Sequence, residues 1–149
     1  NTLALAPRLG APSPKPLSLA PAIASEYLSN SRDGKGVLFG EVTGVTPAEL
    51  VIIGTSTAAE YAARAALGLG IFVKVFDTSV YDLSKLEEKL GRRIFTSVFY
   101  PKVLRKALVS ADAVIGATSF NTPPKFKVAE DLVKQMKEGS VIIDLNVSQ

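Results

Sequence analysis

The chain has 149 residues, of which 47% are hydrophobic; 17 basic and 14 acidic side chains leave a formal net charge of +3. That length and apolar content suit one folded domain with a sizeable core. The charge excess is spread along the chain with no dense basic run, which argues against nucleic acid or a membrane surface as a partner.

Cysteine and histidine are both absent. Disulfides, thiolate catalysis, the commonest zinc sites and a histidine general base are therefore excluded within this chain, and no metal site is expected. The lack of cysteine fits a cytoplasmic setting. No apolar run approaches the roughly 18 residues that span a bilayer, so no membrane insertion is expected. The first residue is Asn1 rather than Met, and the chain reads as a piece of a larger protein.

In chain order, the first stretch is proline-rich, with Pro7, Pro12, Pro14, Pro16 and Pro21. Residues 1–33 read as an irregular arm or linker, carrying a short helix over Ala22–Leu28 before a polar turn. Gly36 to Val42 reads as a loop or edge strand. Residues 34–149 read as the folded domain. Leu50–Ile53 is an unbroken apolar run, the pattern of a strand buried on both faces of a parallel sheet. A helix follows from Thr57 to Leu67, with Ala59, Ala62, Ala63 and Ala66 on its packed face and Gly68 and Gly70 ending it. Ile71–Phe76 is the second strand.

Leu83, Leu86 and Leu90 mark a second helix closed by Gly91, and Ile94–Thr96 a short third strand. Pro101 suits the first turn of a third helix, whose buried face is Val103, Leu104, Ala107, Leu108 and Ala111. Ala113–Gly116 is the fourth strand, and Thr118–Lys127 a loop. Val128, Leu132, Val133 and Met136 mark a fourth helix, and Val141–Leu145 a fifth strand. Regular alternation of strands and helices predicts an α/β fold, a Rossmann-like doubly wound parallel sheet with helices on both faces. Right-handed crossovers give the strand order 3-2-1-4-5 and place the loops after Ile53 and Gly116 at one crevice.

The first of those loops is Gly54-Thr55-Ser56-Thr57-Ala58-Ala59, an imperfect G-x-G-x-x-G. Backbone N–H groups of Ser56, Thr57 and Ala58 are expected to face a pyrophosphate at the helix N-terminus, and Ala59 is an accepted substitute for the third glycine. Ser56 replaces the glycine that lets phosphate approach bare backbone. Its hydroxyl either donates to phosphate or weakens binding. Asp77 follows Gly54 by about the 20 residues expected of a ribose-binding acid, which favours NAD over NADP. Glu60 reads as a helix-dipole acid, Asp112 as a turn residue and Asp144 as a structural carboxylate. Lys102, Arg105 and Lys106 read as a solvated helix face.

PAELVIIGTSTAAEYAARAALGLG followed by VKVFD, then PKVLRKALVSADAVIGA and EDLVKQMKEGSVIIDL, resembles the NAD-binding domain shared by alanine dehydrogenases and the NAD(H)-binding subunit of nicotinamide nucleotide transhydrogenases. The resemblance covers about Gly34 to Gln149. It implies a Rossmann domain partnered with a substrate-binding domain that this chain lacks, and assembly as a homo-oligomer. By position it implies that Gly54, Ser56, Thr57, Ala58 and Ala59 hold the pyrophosphate. Asp77, with Thr78 beside it, holds the ribose, and Ala117 and Thr118 lie toward the nicotinamide. Two departures stand out: Ser56 where the family has glycine, and Ser148 where alanine dehydrogenases carry a catalytic Asp. No catalytic residue is assigned. The readings that follow are an NAD(H)-binding domain that is not catalytically complete alone, a degenerate Rossmann domain kept for assembly or regulation, and a domain for another adenosine ligand such as an S-adenosyl compound.

Overall fold

In the computed structural model, residues 2–5, 44, 46–118 and 129–145 are described. Six strands and four helices lie among them: β1 (Thr2–Leu5), β2 (Glu49–Ile53), α1 (Thr57–Gly68), β3 (Phe72–Asp77), α2 (Val80–Leu90), β4 (Phe95–Val98), α3 (Pro101–Ser110), β5 (Ala113–Gly116), α4 (Glu130–Gln135) and β6 (Val141–Asp144). They form one sheet in the order β1-β6-β5-β2-β3-β4, and every pairing is parallel. Counted from β2, the five expected strands stand in the order 3-2-1-4-5. The sixth, β1, lies in the stretch read as irregular and pairs with β6. The prolines that argue against a strand there begin only at Pro7, so Thr2–Leu5 keeps every ladder N–H. The expected helix over Ala22–Leu28, the segment Gly36–Val42, most of the loop before α4, Val128 and Ser148 lie outside the described residues.

Unbroken apolar strands follow from helices on both sides. Leu50, Ile52, Val73, Val75, Ile115 and Ile143 face one core with the alanines of α1 and with Leu83 and Leu86 of α2. Val51, Ile53, Phe76 and Val114 face the other, against Leu104, Ala107 and Leu108 of α3 and Met136. Alternation along each strand divides its residues between the two cores, and both cores exclude water. Full burial of each Val, Leu or Ile stabilises by about 1.5–3 kcal/mol.

Helix boundaries follow local chemistry. Ser56 caps α1, its hydroxyl accepting from Ala59 N, and Ser79 caps α2 in the same way with Asp82 N. Gly91 closes α2 in the left-handed conformation at φ 70°. In α1, Ala59, Ala62, Ala63 and Ala66 are all fully buried; their small side chains let the helix lie close on β2 and β3. Val103 differs from expectation: it is 38% exposed. The buried stripe of α3 runs Leu104, Ala107, Leu108, Ala111, and Val103 sits one position off it. Among the described residues no helix is long and apolar enough to cross a membrane.

Candidate functional site

The strand order puts β2 between β3 and β5, so the loop leaving β2 meets the ends of both neighbours. Gly54 is the pivot. Its N–H donates to Phe76 O (2.8 Å), and Ala117 N–H donates to Ile53 O (2.8 Å). Gly54 adopts φ +109°, and a Cβ there would stand 2.3 Å from Ala117 O. Only glycine satisfies both the backbone angle and the close approach.

Ser56 resolves the conflict raised by its position in the glycine motif. Its Oγ donates to Ala117 O at 2.6 Å and accepts from Ala59 N at 3.4 Å. The hydroxyl therefore turns inward, as a helix cap and as a tie to the β5 loop. Ser56 N–H also points to Ala117 O, at 3.3 Å, instead of toward the crevice as the motif suggests. The amides of Thr57 and Ala58 make no hydrogen bond among the described residues and remain at the positive end of α1. Ala117 is buried with its side chain in the first core and its carbonyl in this tie. Thr118, half-buried, follows it at the same crevice.

Asp77 ends β3 on the other side of the loop. Its Oδ2 accepts from Thr55 Oγ1 at 2.8 Å. Its Oδ1 accepts from Ser79 N–H at 3.1 Å and, more distantly, from Thr78 Oγ1 at 3.4 Å. No cation contacts the carboxylate among the described residues, so its charge is oriented but not neutralised. Asp77 is in register with Val98 of β4. Val98 helps line an open groove of about 710 Å³ along α2 and β4, together with Val80, Leu83, Glu87, Arg93 and Thr96. Neither this groove nor the Thr55–Asp77 bond was visible in the sequence, because the groove depends on how α2 lies beside β4 and the bond on how β2 pairs with β3.

The remaining sequence candidates lie elsewhere. Glu60 pairs with Arg64 at 3.2 Å and reaches Lys89 at 3.9 Å, joining α1 to α2. Lys102, Arg105 and Lys106 are exposed on α3, as a solvated face requires. Asp144 is exposed at the end of β6. Asp112 belongs to the opposite end of the sheet. It is 5% exposed, accepts from Glu49 N–H at 2.8 Å and lies 3.5 Å from Lys137 Nζ, so it is a buried tie between strands rather than a simple turn residue. No group of three or more His, Cys, Asp or Glu side chains among the described residues is placed to hold a metal.

Comparison with known proteins agrees with this geometry. Residues 20–149 match the family described as alanine dehydrogenase/PNT, C-terminal domain. The chain is 39% identical over 133 residues to an alanine dehydrogenase of Mycolicibacterium smegmatis, covering 88% of this chain and 36% of that protein. A solved L-alanine dehydrogenase superposes with a TM-score of 0.76 at 33% identity, over 87% of this chain and 39% of its own. A transhydrogenase from Sinorhizobium meliloti shares the fold, with a TM-score of 0.64 at 18% identity, over 85% of this chain and 37% of its own. The chain thus spans a little over a third of these relatives. A parallel sheet with its glycine turn at the switch point, matched along nearly the whole chain, places this protein in the alanine dehydrogenase/transhydrogenase family, as its C-terminal, nucleotide-binding domain.

Proposed function

We propose that the chain is the NAD(H)-binding domain of an alanine dehydrogenase-type oxidoreductase. The observation that carries this is the juxtaposition at the switch point: a helix N-terminus with two amides unbonded among the described residues stands beside a carboxylate that no described cation contacts, and Thr55 of the loop donates a hydrogen bond to that carboxylate. The residues fit the cofactor. Gly54 lets the loop turn sharply against Ala117, and the Ser56 hydroxyl is folded away from the crevice. Thr57 and Ala58 N–H would hold the pyrophosphate, with Ala59 packed beneath. Asp77 would accept from the adenosine ribose and repel a 2′-phosphate, with Thr78 flanking it. The adenine would follow the ribose toward the groove that Val98 helps line, and Ala117 and Thr118 would border the path to the nicotinamide.

Bound NAD supplies a hydride acceptor; the chain's own residues bind and orient it. The groups that would bind and deprotonate an amino-acid substrate belong to a separate substrate-binding domain, which makes these 149 residues a cofactor-holding part of the enzyme. The alanine dehydrogenase side is favoured over the transhydrogenase side by identity to the solved structures, 33% against 18%. The same reading divides the chain into an arm over 1–33 and the binding domain over 34–149, in a cytoplasmic homo-oligomer.

Titration of the 149-residue chain with NADH, followed by nucleotide fluorescence, tests the proposal. Saturable binding is expected, with NADPH weaker. A flat response up to millimolar NADH would instead identify a scaffold that has lost its ligand.

A further inference from the structure

We propose that Thr55 is a positioning residue for Asp77, setting the carboxylate for the ribose; this rests on the NAD(H) reading above. Thr55 occupies the first variable position of the glycine loop, and its Oγ1 donates to Asp77 Oδ2 across 22 residues of sequence at 2.8 Å. On the far side, Ser79 N–H holds Oδ1 at 3.1 Å. A carboxylate offers about four lone-pair sites, two on each oxygen. Ser79 N–H, with Thr78 Oγ1 more distant at 3.4 Å, occupies Oδ1; donors on both oxygens fix the plane of the group, and Oδ2 keeps a lone pair for a ribose hydroxyl. Without Thr55, the carboxylate is anchored only through Oδ1 and rotates about χ2, a broad torsion for Asp. The bond also ties the loop that would carry the pyrophosphate to the acid that would carry the ribose, so the two subsites keep a fixed separation.

The link is particular to this loop. Ser56, the next residue, spends its hydroxyl on Ala117 O in the opposite direction. The two adjacent hydroxyls therefore brace the turn from both sides, and only Thr55 acts on a group that would touch ligand.

NADH titration of wild type, T55V, T55S, D77A and T55V/D77A tests this. T55V is expected to weaken NADH binding about fivefold, because the freed carboxylate must be immobilised anew each time the ribose binds. T55S, which restores the hydroxyl, is expected to bind within about twofold of wild type. In the D77A background T55V is expected to add nothing, because its effect passes through Asp77. If T55V does not fold by circular dichroism, T55A is read in its place. T55V binding like wild type, or the T55V penalty persisting undiminished in D77A, would overturn the proposal while leaving the cofactor reading intact. A wild type that does not saturate overturns both.

Discussion

The two ends of the sheet each carry an aspartate at a strand terminus, and they use it in opposite ways. At the N-terminal end, Asp112 is buried, accepts from Glu49 N–H and lies by Lys137. Beside it Glu49 pairs with Lys74 at 3.2 Å and accepts from Ser110 Oγ at 2.8 Å. Lys74 Nζ also lies 5.5 and 5.8 Å from the ring centres of Phe72 and Phe95. Each carboxylate there meets a cation. At the crevice end, among the described residues, Asp77 meets only hydroxyl and amide donors, which orient it without cancelling its charge. A neutralised acid closes a structure, whereas an acid held by neutral donors still attracts a ligand's hydroxyls.

The crevice end is most vulnerable at Gly54. G54A is expected to cost about 3 kcal/mol or more, since a Cβ meets Ala117 O and the positive φ disfavours alanine. Urea unfolding would read it, and a near-native midpoint would show that the crevice turn is not the rigid pivot described. Next comes a crossed pair. D112A is expected to lower stability by about 1–3 kcal/mol, leaving Glu49 N–H without its acceptor, with NADH affinity unchanged. D77A is expected to do the reverse, weakening NADH about tenfold with stability within about 1 kcal/mol. If both variants lose stability and binding alike, the functional division between the ends fails. The smallest effect is expected at Ser140, fully buried at the N-terminal end with no partner for its hydroxyl among the described residues. S140A should raise stability by about 1 kcal/mol in thermal melts, because it removes an unpaired buried hydroxyl; a loss of that size would reveal a hidden donor or acceptor there.

Several positions show how far pattern alone carries. The α1 alanines and the apolar β2 run were readable because helical and sheet periodicities each bury a definite set of side chains. Gly54 and Asp77 were readable as a spacing. Ser56 was not: its identity raised two opposite outcomes, and only the carbonyl of Ala117, 61 residues away, decided which way the hydroxyl turns. Asp112 was read as a turn residue because its partners, Glu49 and Lys137, come from other elements.

Local pattern in the chain was enough for the order of elements, the two-sided burial of the strands and the place of the glycine turn. These depend on local periodicity and on the handedness of crossovers, which act over a few residues or one βαβ unit. Tertiary structure decided the roles of the polar groups: the addition of β1 beside β6, the inward turn of Ser56, the Thr55–Asp77 bond and the closing of Asp112. A hydroxyl or carboxylate takes its role from whichever donor, acceptor or charge lies within about 3 Å, and parallel strands bring such partners together from distant parts of the chain.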